Sequence, residues 1–120
     1  MVRRGLALFG LSLLVCLVFA TRPHVTAAAS WQTSAPRDGV SRPRTAELGL
    51  RNKFGASGEC YTVLAEVYDP SGNPEAYQYK SVCGDAWTYW YFGDANYRGW
   101  YSVTFTIDEQ VVASDQFYES

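Results

Sequence analysis

The chain has 120 residues, with 10 basic and 12 acidic side chains, 48% hydrophobic and 16% aromatic residues, and a single histidine, His24. From residue 47 onward only four basic side chains stand against eleven acidic ones, the opposite of what a phosphate-tracking module needs, so nucleic acid is excluded as an expected partner. His24 falls in a segment expected to be removed, which takes Ser-His, Cys-His and histidine-metal chemistry away from the mature chain.

Residues 1–29 read as an export signal. Arg3 and Arg4 form a positive start, GLALFGLSLLVCLVFA an apolar run, and Ala27, Ala28 and Ala29 a small-residue cleavage site. The run is shorter than the roughly 20 residues a spanning helix needs, so no stable membrane insertion is expected after cleavage. Val18-Phe19-Ala20 offers an earlier cleavage match, and the bare arginine pair does not by itself make a twin-arginine signal. Val15 before Cys16 argues against a lipid-anchored cysteine. The expected location is secreted, extracellular or periplasmic.

Residues 30–46 (SWQTSAPRDGVSRPRTA) are rich in Ser, Thr, Pro and Arg without apolar periodicity, the composition of a flexible, disordered linker or tail. Residues 47–120 are then left to build one small domain. In AELGLRNKF, Leu48, Leu50 and Phe54 alternate with Glu47, Arg51 and Lys53, the period of a half-buried strand. CYTVLAEVY (60–68), the turn cluster DPSGNP (69–74) and AYQYKSVC (76–83) read as a hairpin. Centred between Ser71 and Gly72, it sets Tyr68 opposite Glu75, Leu64 opposite Tyr79 and Cys60 opposite Cys83. Turn and cysteines thus demand one register. A Cys60–Cys83 disulfide follows in an oxidising compartment, in preference to a metal site lacking partner ligands or a redox pair lacking C-x-x-C spacing. In the chain-entropy account such a staple is worth roughly 3 kcal/mol.

Eight of the fifteen residues from 87 to 101 are aromatic. A turn over residues 93–96 would pair Phe92 with Tyr97, setting Tyr89 against Trp100 and Thr88 against Tyr101. Thr88, Trp90 and Phe92 then face the core, and Trp87, Tyr89, Tyr91, Arg98 and Trp100 share an outer face, the candidate ligand-binding surface. The last hairpin places Tyr101, Val103, Phe105 and Ile107 inward, turns at Asp108-Glu109-Gln110, and returns with Val111, Ala113 and Phe117 inward. Asp115 interrupts that series, at a bulge or at a sheet edge.

The stretch GWYSVTFTIDEQVVASDQF (99–117) resembles the last two strands of immunoglobulin-like and fibronectin type III-like domains of bacterial secreted proteins, and LAEVYDPSGNP (64–74) is similar to an early strand and turn of the same modules. The resemblance implies a small antiparallel β-sandwich with a binding or spacer role. About six strands are countable, and the cysteine spacing is too short for the inter-sheet disulfide of antibody domains. FGDANYRG (92–99) is similar to one βγ-crystallin Greek-key motif, a family that includes calcium binders and small secreted inhibitors; a turn between aromatic strands accounts for the same letters.

The expectation is an all-β, non-catalytic, secreted binding module with no cofactor and no metal. Asp69, Ser71 and Asn73 read as a plain turn, because Pro70 and Pro74 and the missing twelfth-position Glu do not fit a calcium loop. The remaining carboxylates fall mostly in turns, not across a cleft. The aromatic face suits an extracellular protein, a carbohydrate, or a second copy of the chain as a homodimer. The alternatives are a small secreted enzyme inhibitor or βγ-crystallin-like domain, and a purely structural spacer.

Overall fold

The computed structural model describes residues 30–41, 43–93 and 95–120. The export-signal reading, with Cys16 and His24, lies outside the described residues. Seven strands are present: β1 (Trp31–Ser34), β2 (Ala46–Asn52), β3 (Cys60–Tyr68), β4 (Pro74–Cys83), β5 (Trp87–Phe92), β6 (Gly99–Ile107) and β7 (Gln110–Glu119). They form two antiparallel sheets, one ordered β1-β2-β5 and the other β4-β3-β6-β7. The architecture is all-β and sandwich-like, and no helix occurs among the described residues.

The core lies where the inward positions of the two sheets meet. Leu48 and Leu50 of β2 and Trp90 and Phe92 of β5 face Val63, Ala65 and Val67 of β3, Tyr101, Val103 and Phe105 of β6, and Phe117 of β7, all buried. Aromatic rings join the layers, with Trp90 5.2 Å from Phe105 and Phe92 5.6 Å from Tyr101 by ring centroids. Edge and tilted contacts of this kind add to the area buried by the rings themselves. The alternating pattern along each strand follows from the period-2 side-chain geometry of β structure.

The first hairpin has the expected register over most of its length: Cys60 pairs with Cys83 and Leu64 with Tyr79. The two cysteines are bonded, with Cα atoms 4.1 Å apart. Tyr68 pairs with Pro74 instead of Glu75, because a bulge after Val67 absorbs one residue. The Asp69 carboxylate builds the turn by accepting hydrogen bonds from Ser71 N and Asn73 N, both at 2.9 Å.

Four sequence expectations change. Residues 31–34, assigned to a flexible linker, form β1, the strand missing from a count of six. Its register against β2 places Trp31 opposite Asn52, and Trp31 packs edge-on to Tyr61 at 5.6 Å. The chain then crosses over so that Val40 N donates to Tyr118 O at 2.7 Å and Ser120 N donates to Val40 O at 2.9 Å, beside the last strand. These bonds use backbone groups, which is why a composition of Ser, Pro and Arg concealed them. Phe54 lies beyond the end of β2, in a turn, and is 72% exposed; Asn52 takes the last buried position of that strand.

The third change concerns the C-terminal turn. It contains two residues, Asp108 and Glu109, both at positive φ, and Gln110 already belongs to β7, opposite Ile107. A bulge between Phe105 and Thr106 then leaves Val112 as the extra residue, so Val111 points outward while Ala113 and Phe117 point in. Asp115 sits opposite Val103 on an edge strand, three residues beyond that bulge. Charge at an inward position of an edge strand discourages pairing with another sheet.

The fourth change is topological. Strands β5 and β6 do not pair: β5 pairs with β2 and β6 with β3 and β7, and residues 93–98 carry the chain from one sheet to the other. Phe92 opposes Ala46, not Tyr97, and Tyr89 opposes Gly49, not Trp100.

Candidate functional site

The crossing at residues 93–98 divides the expected aromatic row. Trp87, Tyr89 and Tyr91 remain together on the outer face of the β1-β2-β5 sheet. Trp100 lies on the outer face of the other sheet, 58% exposed, with its ring 5.5 Å from that of Tyr118 in an edge contact. Arg98 is exposed in the connection that precedes β6. The inward partners Trp90 and Phe92 are buried as expected, because alternation along β5 sets which side a residue faces whichever strand it pairs with.

Two of the three retained aromatics, Trp87 and Tyr89, sit over a glycine. Gly49, directly opposite Tyr89, would carry a Cβ only 2.8 Å from Tyr89 Cε1 and 3.1 Å from Trp87 Cε3. A side chain there would collide with both rings; without one, they settle against the sheet. The Trp87 and Tyr89 rings are near-parallel, at 16°, with centroids 6.2 Å apart. That spacing is wider than face-to-face contact, so each ring keeps surface available beyond its neighbour.

Polar groups border the rings. Tyr91 Oη donates to Glu47 Oε2 at 3.2 Å, and partial withdrawal from water together with this bond pushes the Tyr91 hydroxyl above the ordinary tyrosine pKa. On the opposite side Arg51 Nε donates to Asp85 O at 2.9 Å, and its guanidinium lies 3.7 Å from the Asp85 carboxylate. Gln32 and Ser34 of β1 continue the face, opposite Arg51 and Gly49.

Beneath this face the free edges of β5 and β4 are tied by side chains. Trp90 Nε1 donates to Gln78 O at 3.0 Å, and Lys80 Nζ donates to Tyr89 O at 2.5 Å. Lys80 also approaches the Trp90 and Tyr91 rings, at 6.0 and 5.7 Å from their centroids, in cation-π contact. These bonds satisfy the edge carbonyls of Gln78 and Tyr89 and tie the two sheets together along this side.

Sequence reasoning did not single out Gly49, Glu47 or Arg51 as members of the face. The signal for Gly49 was a glycine within an otherwise regular strand pattern, which often marks close approach of another group. Concave regions border the face at two of its margins. One, lined by Ala76, Tyr77, Trp90 and Tyr91, opens between the β4 and β5 edges. The other, of about 430 Å³, lies between residues 33–37 and Trp100, Asp115 and Gln116. Among the described residues no group of three or more His, Cys, Asp or Glu side chains is placed to hold a metal ion.

No family model matches the chain, and no curated protein matches it. Among solved structures it is similar to the Pseudomonas fluorescens alkylpurine DNA glycosylase AlkC bound to DNA containing an abasic site analog, with a TM-score of 0.45 and 12% identity. That match covers 75% of this chain and 30% of the glycosylase chain, and at such a distance it assigns neither family nor activity.

Proposed function

We propose that the protein is a secreted, non-catalytic binding module of the immunoglobulin-like or fibronectin type III-like class, and that it holds an extracellular protein or carbohydrate on the outer face formed by Trp87, Tyr89 and Tyr91. One observation carries the functional part. Three consecutive outward positions of β5 are aromatic, and the near-parallel rings of two of them, Trp87 and Tyr89, rest on a glycine that leaves room for both. Core packing does not require this arrangement, since Trp90 and Phe92 already fill the inward side of the same strand.

The class rests on strand order and on one hydrogen-bonded corner. First, second and fifth strands share a sheet, and fourth, third, sixth and seventh share the other, the order of such sandwiches when the fourth strand joins the sheet of the third, sixth and seventh. Tyr101, near the start of the sixth strand, bonds back to the backbone four residues upstream, as the tyrosine corner of those folds does. Secretion is supported by the Cys60–Cys83 bond, of a kind that persists in oxidising compartments.

The test is a binding screen of the purified chain against immobilised glycans and secreted proteins, repeated with Trp87→Ala and Tyr91→Ala. Each substitution is expected to cost more than about 1 kcal/mol of affinity, as truncated aromatic anchors do, while leaving the melting transition nearly in place. If both variants retain every interaction of the wild type, the face is not a binding surface.

A further inference from the structure

Resting on that reading of the face, we infer that its occupant is a neutral polysaccharide of extended, β-linked pyranose rings lying along β5. The argument begins with shape. Trp87, Tyr89 and Tyr91 occupy alternate positions of one strand, so their Cα atoms follow one another at about 7 Å. Their rings form a row on a sheet surface, with exposure of 36% at Trp87 and 60% at Tyr91, its two ends. Aromatic anchors of a protein partner characteristically fill desolvated pockets. The concave region between the β4 and β5 edges meets the row only at its Tyr91 end, and the one beside Trp100 meets the face only at Ser34. A row open at both ends suits an internal stretch of a linear chain whose sugar rings present apolar C–H faces one after another.

The polar border supports the same chemistry. Glu47, Gln32 and the Arg51–Asp85 pair supply planar groups that accept or donate two hydrogen bonds side by side, which is how adjacent sugar hydroxyls are recognised. Several are already positioned by bonds to protein groups, Arg51 by Asp85 and Glu47 by Tyr91, which lowers the ordering cost of binding.

Charge selects the neutral polymer. Arg51 is committed to Asp85, and Lys80 donates from beneath the row to Tyr89 O. From residue 30 onward seven basic side chains stand against twelve acidic ones, a field that opposes uronate or sulfate chains.

Cellohexaose, xylohexaose and chitohexaose, titrated into the purified chain by calorimetry and tryptophan fluorescence, test the inference, with polygalacturonate as the anionic comparison. At least one hexasaccharide is expected to bind at least tenfold more tightly than its trisaccharide and than polygalacturonate. Trp87→Ala should weaken it at least tenfold; Tyr91→Ala, at a more exposed position, gives the same readout if Trp87→Ala unfolds. Trp100→Ala, on the opposite sheet, should change nothing. Binding of no neutral hexasaccharide, preference for polygalacturonate, or dependence on Trp100 would overturn it. A secreted protein whose capture depends on Trp87 and Tyr91, with no hexasaccharide bound, would overturn the ligand class and leave the face as a binding surface. Loss of neither kind of interaction in either variant would overturn both.

Discussion

The Tyr101 hydroxyl serves both polar backbone groups of Tyr97: it accepts a hydrogen bond from Tyr97 N at 3.0 Å and donates one to Tyr97 O at 2.8 Å. The Tyr101 side chain is fully buried, stacked on Phe117 at 5.6 Å and 16°. One core residue therefore fixes the path by which residues 93–98 leave the β1-β2-β5 sheet for β6. Tyr101→Phe keeps the ring and removes both hydrogen bonds to the Tyr97 backbone, for a loss of about 1–3 kcal/mol at about 0.5–1.5 kcal/mol per bond. Urea unfolding should show the midpoint falling with little change in slope; an unchanged midpoint would mean that the corner contributes nothing.

The Cys60–Cys83 bond closes the open end of the β3–β4 hairpin, where register and turn agree. Replacing both cysteines by Ser is expected to lower stability by about 3 kcal/mol, through the freedom returned to the unfolded chain. Peptide mapping of the non-reduced protein should recover the two cysteines in one linked pair. Two free thiols in the folded protein would remove the staple from the account.

Asp108 and Glu109 have φ of 49° and 68°, the left-handed region required of both residues in a two-residue turn of this hand. Aspartate tolerates it better than glutamate, whose longer side chain gains no local bond there. Changing the pair to Asn-Gly, the sequence this turn prefers, is expected to raise stability by about 1 kcal/mol. The increase should appear as a higher melting temperature, with the aromatic near-ultraviolet spectrum unchanged.

The Tyr61 hydroxyl donates to the Glu59 carboxylate, which also accepts from Ala56 N at 2.9 Å. The Tyr61 bond first, and then the Ala56 bond, hold Glu59 below its usual range, while the bond to Glu59, burial and the carboxylate charge hold Tyr61 above its own. The depressed Glu59 contributes stability that is complete above the ordinary carboxylate pKa of 4.5 and is lost as pH falls through its folded value. The raised Tyr61 contributes stability that is complete below pH 10.0 and is lost as pH rises through its folded value. In a Tyr91→Phe background, which removes the other raised tyrosine, ultraviolet titration of phenolate should contain a late component that vanishes in Tyr61→Phe and moves to lower pH in Glu59→Gln. A late component untouched by either change would refute the pairing.

Both hairpins and most of their inward residues were legible in the sequence, because turn chemistry and period-2 alternation are local. The residues of the 69–74 turn and the two cysteines demanded one register, and the inward placement of Trp90, Phe92, Tyr101, Val103 and Phe105 needed only parity. Within the hairpins, the residue added at each bulge was not legible. One extra residue inverts the facing of everything before it, as at Val111, and nothing in the letters VVA marks which residue is extra.

Which strands meet was decided only in three dimensions. Alternation says that Trp87, Tyr89 and Tyr91 face away from Trp90 and Phe92, but it is blind to the sheet in which β5 lies. The assumption that consecutive strands pair therefore put Trp100 beside them. The structure pairs β5 with β2, a strand some forty residues earlier in the chain, since Leu48 and Leu50 of β2 must cover the same core as Trp90 and Phe92. That long-range pairing brings Gly49 under the rings, sets Glu47 beside Tyr91 and moves Trp100 to the far side. The chain by itself determined an all-β stapled scaffold rich in outward aromatics, because each of those properties is written within a few neighbouring residues. The composition of the face depended on contacts between distant segments, which the burial of a shared core selects.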